Sequence, residues 1–448
     1  MIPMAAEISQ QQSIVIVGLG QTGLSCARFL AERGYVIAMM DSREQPPALA
    51  EIQREYPEIL IKTGGFDASW LKQADMLVLS PGVDPRHADI EAAKLSGVEI
   101  VGDVELFARY ANAPIIAITG SNGKSTVTTL LADMASEAGK GCKVGGNLGT
   151  PTLDLITEPA PDFYIVELSS FQLETVTSLN AFASVVLNVS PDHMDRYDSE
   201  QDYQNAKATI FNGDGVMVIN SDDVFVSQLA QADRNQITFG TDADFNVISH
   251  DGKQWLAEKG QPLIAIDELK IIGKHNVANA LAVLALGSAM ALPMLAMLTA
   301  LKQYLGLPHR CRLVGENNGV RWFNDSKATN VGACVAAIQG LADTGNIILI
   351  AGGEGKNQDF SALTATLQQH VRAVILLGQD AELISESVPK DLEHYSVRSL
   401  QHAVSKANEI AISGDNVLLS PACASFDMFN SYAQRGDVFE ALVREQCL

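Results

Sequence analysis

The sequence predicts an α/β chain folded as three successive blocks, and three observations carry that expectation. Short apolar runs alternate with segments of helical periodicity from end to end, a pattern that lays strands mainly parallel with helices packed over them. Glycine-rich turns follow the first strand of the first block, as Gly18-Leu-Gly20-Gln-Thr-Gly23, and the first strand of the second, as Gly120-Ser-Asn-Gly123-Lys124. At 448 residues the chain exceeds one average domain, and about three are expected. Together these imply an N-terminal Rossmann-like domain over residues 1–102, a central P-loop ATPase-type α/β domain over 103–306 and a C-terminal Rossmann-like α/β domain over 307–448.

In the first block strands are expected at 14–17, 35–40, 76–79 and 98–101, with a helix at 24–33. The second block opens with a strand from Pro114 and has others at 163–166 and 184–189. His250-Asp251-Gly252-Lys253 predicts a hairpin, because Asp-Gly accepts the positive φ angles of a tight turn. The uncharged stretch 277–301 is long enough to span a membrane, but Pro293 splits it and Asn279, Gly287 and Ser288 interrupt it. Two consecutive buried helices are expected there instead. The third block begins after Gly306-Leu307-Pro308 and has strands at 347–350, 373–377 and 417–419.

Charge narrows the function. The chain carries 31 Lys plus Arg against 53 Asp plus Glu, a net charge of −22. That excludes a nucleic-acid-coating protein, whose affinity comes from neutralising phosphates, but not a nucleotide site, which needs only a local cluster of donors. The six cysteines are scattered with no C-x-x-C pair, which reads as reduced intracellular thiols. Residues 1–13 have neither the basic start nor the apolar core of a secretory signal, so a cytoplasmic protein without membrane insertion is expected.

The most informative segment is Gly120-Ser121-Asn122-Gly123-Lys124-Ser125-Thr126. A glycine-rich turn between a strand and a helix aims backbone N–H groups and the helix N-terminus at one point, which favours a phosphate. Lys124 adds a point charge near terminal phosphates, and the Ser125 hydroxyl reaches a bound Mg²⁺. Two residues separate these glycines where the common loop has four, and a chance lysine in an ordinary turn is the competing reading.

Other polar clusters also follow strands. Gly18-Leu-Gly20-Gln21-Thr22-Gly23 with Asp41 after the next strand reads as a dinucleotide fingerprint, Asp41 meeting a ribose. Another nucleotide or a sugar diphosphate could use the same amides, and close helix packing alone would also require these glycines. Ser42, Arg43 and the Ser80-Pro81-Gly82 turn add donors at that rim. Glu167, at the end of a strand in the phosphate-loop block, suits a Mg²⁺ ligand, whereas Glu174 reads as a solvated helix residue. Asp192-His193-Met-Asp195 is either a metal and acid–base cluster or a charged loop, and Lys207, in a helical stretch at 199–211, resembles any surface lysine. In the third block, His309-Arg310 stands at the entry. Asn324-Asp325-Ser326-Lys327-Ala328-Thr329-Asn330, Gly352-Gly353-Glu354-Gly355-Lys356 and Ser420-Pro421-Ala422-Cys423-Ala424-Ser425-Phe426-Asp427 follow strands, and should converge on one rim.

With these motifs in hand, the whole chain resembles the Mur ligase family, whose own phosphate loop is Gly-x-Asn-Gly-Lys-Ser-Thr. Glu167-Leu-Ser-Ser-Phe-Gln-Leu-Glu174, Asp192-His-Met-Asp-Arg-Tyr197, Asn324-Asp-Ser-Lys-Ala-Thr-Asn330 and Ser420-Pro-Ala-Cys-Ala-Ser425 carry the likeness. The resemblance implies a monomeric, ATP- and Mg²⁺-dependent amide ligase that joins D-glutamate to UDP-N-acetylmuramoyl-L-alanine through an acyl phosphate in peptidoglycan precursor synthesis. It implies that Gln21, Thr22, Ser42, Arg43, Ser80 and Gly82 meet the uridine diphosphate, with Asn147 touching the same substrate. It implies that Gly120 to Thr126, Asn276, Asn279, Arg310 and Asp325 hold ATP. Ser125, Glu167, His193 and a carbamylated Lys207 would serve the metal, and Lys327, Thr329, Lys356, Ser425 and Phe426 the amino acid. Catalysis would rest on Lys124, Glu167, His193 and Lys207. The chain departs from the pattern in placing Tyr432 where a Phe is expected. It also has one residue fewer between Tyr197 and Lys207, so Asn205-Ala-Lys207 and not the count locates the lysine. The alternatives are a family ligase with another amino acid or acceptor, and a nicotinamide-dependent dehydrogenase fused to an ATPase domain.

Overall fold

A computed structural model describes residues 12–194, 196–271, 273–342, 346–356 and 358–447. Asp195 and the N-terminal residues 1–11, which bear on the expectations above, lie outside the described residues.

Among the described residues the strands form three sheets in chain order. The first holds β1 (Ser13–Val17), β2 (Val36–Asp41), β3 (Leu60–Thr63), β4 (Met76–Leu79) and β5 (Glu99–Gly102), ordered β3-β2-β1-β4-β5 and all parallel. The order reverses between β1 and β4, so the turns after these two strands flank the crevice where such sheets take ligands. The helix Gln21–Glu32 starts earlier than expected, at the last glycine-rich positions, which puts Gln21 and Thr22 in its first turn.

The second sheet holds β6 (Ile115–Thr119), β7 (Cys142–Gly146), β8 (Phe163–Glu167), β9 (Ala183–Val186), β10 (Val216–Asn220), β11 (Gln236–Phe239), β12 (Phe245–His250), β13 (Lys253–Glu258) and β14 (Gln261–Ala265). Its order is β14-β13-β12-β11-β10-β9-β6-β8-β7, with β6 between two parallel neighbours. The hairpin expected at Asp251-Gly252 joins β12 to β13, with His250 opposite Lys253. The third sheet holds β15 (Arg312–Asn317), β16 (Val320–Asn324), β17 (Ile347–Gly352), β18 (Val371–Leu377), β19 (Glu393–Ser396) and β20 (Asn416–Leu419), ordered β15-β16-β20-β17-β18-β19. β16, β20 and β17 are parallel neighbours, so the three polar loops that follow them do emerge on one rim.

The stretch split by Pro293 folds as two helices, Lys274–Ala289 and Met294–Gln303, packed on Lys124–Glu137. Among the described residues no helix is long and apolar enough to cross a membrane. The first two sheets share one core through the helix Asp103–Tyr110, whose Phe107 ring meets Tyr164 of β8 edge-on at 5.2 Å. The third sheet has two apolar clusters of its own. We propose domain limits of 1–102, 103–306 and 307–448, which keep each sheet whole.

Asp103 opens that shared helix and is buried, accepting from Thr152 Oγ1 at 3.2 Å and Gln172 Nε2 at 3.3 Å. Burial pushes its carboxyl up to about 6, against the two hydrogen bonds, which favour the anion. The folded state therefore keeps a proton that the unfolded chain releases near pH 4, and stability from this group is lost as pH rises towards and through 6. Asp103→Asn retains an acceptor oxygen without the ionisation. Its stability relative to the parent should rise by about 2 kcal/mol between pH 4.5 and 7.5 in paired urea melts. A difference independent of pH would refute this assignment.

Candidate active site

The phosphate-loop segment lies at the carboxyl end of β6, in the middle of the second sheet. Gly123 caps the helix Lys124–Glu137 with φ of 87°, and a Cβ there would lie 2.3 Å from Asn279 Oδ1. A glycine is required for both reasons, and the contact brings Asn279 against the loop. Asn122 and Asn188 pair reciprocally: Asn122 N–H donates to Asn188 Oδ1 at 2.9 Å, and Asn188 Nδ2 donates to Asn122 O at 3.0 Å. Ser121 Oγ meets Ser190 O and the Tyr203 hydroxyl. Asn188 and Tyr203 thus hold the loop from outside it. Only the position of Asn188 after an apolar strand could have signalled this from sequence.

Two amines converge on the loop. Lys124 Nζ donates to Gly120 O at 2.8 Å and Ser121 O at 3.1 Å, and Lys207 Nζ donates to the same Gly120 oxygen at 3.1 Å. Lys207 is therefore no surface lysine; it is 2% exposed, on the inner side of the helix Glu200–Ala208. Burial, and then the neighbouring Lys124 charge, push its amine well below the ordinary lysine range. Burial lowers Lys124 in the same direction. The compensating acids are Asp192 and Glu167; Glu167 stands at the end of β8 and is buried. Its Oε1 accepts from Asn147 Nδ2 at 2.7 Å, and its buried Oε2 has no hydrogen-bond partner.

His193 has φ of 59° and stacks on Phe171 at 4.7 Å, with Nε2 3.8 Å from Asp192 Oδ2. Among the described residues, His, Cys, Asp and Glu side chains form no group of three that could hold a metal by themselves. Glu174 departs from expectation. Instead of facing solvent, it pairs with Arg196 at 2.6 Å and Arg86 at 3.6 Å, with only 9% of its side chain exposed. Arg196 also donates to Val83 O, which ties the loop after β9 to the first domain.

The third domain reaches over this loop. Arg310 Nη2 donates to Ser125 Oγ at 2.7 Å, and Asn330 Nδ2 donates to Asp192 Oδ2 at 3.2 Å. Asp325 is buried, accepts from Cys311 N–H and the Ser420 hydroxyl, and is pushed up to about 7 by burial. One cleft is lined from the central domain by Asn122, Gly123, Thr126, Asn276 and Asn279, and from the third by Arg310, Asp325 and Lys327. Lys327 thus shares a cleft with the phosphate loop. Thr329 is half-buried nearby, Ser425 is buried, and Lys356 and Phe426 are exposed. The Ser425–Phe426 turn does not open a helix: Ser425 O accepts from Met428 and Phe429 N–H, and the next helix begins at Tyr432. Arg435, which no sequence signal marked, is buried and donates to Ser326 O and Cys423 O, joining two of the three rim loops.

In the first domain, Gln21, Ser42 and Gly82 are exposed, Thr22 and Ser80 are half-buried, and Arg43 extends outward at the rim. Gly18 and Gly23 serve close packing, since a Cβ would lie 2.7 Å from Ser80 Cβ and 1.9 Å from Gly18 O respectively. Asp41 does not offer itself to a ribose. Its Oδ1 accepts from Arg43 N–H and Nε, and its Oδ2 from Leu19 N–H and Arg43 Nη2. The carboxylate instead shapes the turn, and the dinucleotide reading loses its main support.

Taken together, a strand-end loop, buried amines, one partly unsatisfied carboxylate and guanidinium from a second domain make a receptor for a polyphosphate. The sequence matches Mur ligase family models over most of the chain. Residues 12–102 match the Mur ligase MurD-like N-terminal domain, 118–287 the Mur ligase middle domain and 309–423 the Mur ligase glutamate ligase domain. The chain belongs to the Mur ligase family. It is 54% identical to the UDP-N-acetylmuramoylalanine–D-glutamate ligase of Nitrosococcus oceani, over 96% of each chain. It is 49% identical to the protein of the same name from Pseudomonas savastanoi, covering 97% of this chain and 98% of that one. Among solved structures it shares its fold with a pseudomurein peptide ligase type C of Methanothermus fervidus (TM-score 0.63, 18% identity), which it covers completely along 97% of its own length. The UDP-N-acetylmuramate-alanine ligase of Thermotoga maritima is similar to the same extent of coverage (TM-score 0.59, 19% identity).

Proposed function

We propose that this chain is a cytoplasmic ATP-dependent amide ligase that joins D-glutamate to UDP-N-acetylmuramoyl-L-alanine, forming a peptidoglycan precursor. The observation that carries the reading is the convergence of Lys124, Lys207 and Arg310 on one phosphate loop, next to Glu167. The L-alanyl carboxylate attacks the γ-phosphorus, ADP leaves, and an acyl phosphate remains. The D-glutamate amine then attacks the acyl carbon, phosphate departs with the carbon–oxygen electron pair, and an amide forms. Lys124 and Arg310 stand where they can offset charge on the phosphoryl oxygens, which is most of what a protein contributes to such a transfer. All the proposed groups lie on one chain, so a monomer suffices.

Glu167 Oε2, buried and without a partner, fits a hard cation. Mg²⁺ held by Ser125, Glu167, His193 and a modified Lys207 would neutralise phosphate charge. Lys207 supports the last assignment because burial and the neighbouring Lys124 charge lower its amine well below the ordinary lysine range, which favours the nucleophilic form. Attack of the neutral amine on CO₂ gives a carbamate and releases one proton, turning a buried amine into an anionic oxygen ligand. Gln21, Thr22, Ser42, Arg43, Ser80 and Gly82 are proposed to hold the uridine diphosphate, with Asn147 linking that substrate to Glu167. Asn276 and Asn279 are proposed for adenine, and Lys327, Thr329, Lys356, Ser425 and Phe426 for the amino acid.

Three outcomes are expected. Lys124→Ala should abolish ATP turnover while UDP-sugar binding, followed by calorimetry, stays within about twofold, because the two sites lie on different sheets. Loss of both with the fold intact would sink the separation of sites. Enzyme equilibrated with ¹³C-bicarbonate should show one carbamate carbonyl resonance that Lys207→Arg lacks; an unchanged spectrum in the variant would remove the assignment. Phosphate release with the UDP-muramoyl-alanine acceptor should be supported by D-glutamate far better than by L-glutamate, L-alanine or L-lysine. Donors built for two carboxylates are left unpaired by the others, at roughly 1–3 kcal/mol per buried group. A better rate with another amino acid would redirect the reading to a different ligase of the family.

A further inference from the structure

We propose that Tyr432 is a positioning residue whose ring face holds the Lys327 ammonium in the cleft between the third domain and the phosphate loop. Lys327 Nζ lies 3.9 Å from the centroid of the Tyr432 ring. Among the described residues it has no hydrogen-bond acceptor and no carboxylate at ion-pair distance, so the aromatic face is its partner. Charged groups around it come from several elements: Arg310 before β15, Lys124 from the phosphate-loop helix, Lys356 from the loop after β17, Glu167 from β8, and Asp325, which lines the same cleft. Burial first, and then these cations, lower Lys327 to about 8. An ammonium in such company would lose its proton or turn to solvent unless something favours the charged form in place. The negative face of an aromatic ring does so without adding an anion that would compete with phosphate.

Platform and lysine are built as one unit. The Lys327 N–H donates to His309 O at 3.0 Å, and its carbonyl accepts from Thr329 N–H at 2.8 Å, so the loop backbone is pinned. Ser326 Oγ donates to Tyr432 O at 2.8 Å and receives Arg435 Nε at 2.9 Å, which fixes the first turn of the helix Tyr432–Gln446 against the same loop. The His309 ring meets Tyr432 edge-on at 6.2 Å. What remains free is the lysine side chain, and the ring sets where its charge stands. The role of that charge in amino-acid binding rests on the proposed ligase reaction, but its placement does not.

The test is the pH dependence of Lys327 acetylation by acetic anhydride in the intact protein, read by mass spectrometry of the Lys327 peptide. Tyr432→Phe keeps the ring face and should titrate with the parent. Tyr432→Leu removes it, and the midpoint should fall by about one pH unit, making labelling near neutral pH up to about tenfold faster. A change in access alone would scale the rates at every pH without moving the midpoint. A parental midpoint in Tyr432→Leu, or an equal fall in Tyr432→Phe, overturns the proposal. In turnover, kcat/KM for D-glutamate at pH 8 should drop about fivefold in Tyr432→Leu and recover towards the parent at lower pH. A parent enzyme without ligase activity would count against the proposed reaction, while the labelling midpoint still decides the platform.

Discussion

Lys124 and Lys207 give hydrogen bonds to the same main-chain oxygen, that of Gly120, inside a protein whose net charge is −22. Two buried amines so close cannot both remain ordinary ammonium ions, since desolvation and mutual repulsion act in the same direction on each. The surrounding structure answers in two ways. Glu167 brings an opposite charge with one oxygen left over, and burial with the Lys124 charge draws Lys207 towards the neutral form. A polyphosphate completes the site electrostatically, which is why local positive charge matters here more than the acidic surface.

The way the domains are joined follows from the same requirement. The first two sheets share a continuous apolar core around Phe107 and Tyr164, so they behave as one body. The apolar clusters of the third sheet contain no residue from the central domain. Two of its contacts at the site are polar, Arg310 on Ser125 and Asn330 on Asp192, and such contacts exchange readily with water or ligand. A division of this kind lets a domain carry charge to the phosphates after substrates have entered, and excludes water as it does so.

The first domain shows how a motif can be right about fold and wrong about chemistry. Gly18 and Gly23 are demanded by the approach of Ser80 and of the Gly18 carbonyl, whichever ligand is bound. Asp41 looks like a ribose acceptor in the linear pattern, yet four donors from Leu19 and Arg43 saturate it. The glycine fingerprint therefore reports helix-on-sheet geometry, and what enters the crevice depends on exposed groups such as Gln21, Ser42 and Arg43.

The linear sequence by itself determined the three α/β units, the central strands and the loops that follow them, because buried parallel strands must be apolar and their ligand-facing ends must not. It also determined the phosphate loop, where glycine spacing, lysine and hydroxyls are contiguous, and the helix pair split at Pro293, which polar residues and a helix-breaking ring make plain. Short edge strands such as β3 and β19 escaped it, since Leu60-Ile-Lys-Thr63 and Glu393-His-Tyr-Ser396 carry no apolar run. So did every role that depends on burial. Nothing beside Lys207 marks it as buried, nothing beside Glu174 marks its pairing with Arg196, and Arg435 lies 109 residues from Ser326, in one of the two loops it joins. The tertiary structure decided these, because desolvation and hydrogen-bond partners are set by what folds against a side chain and not by its neighbours in sequence.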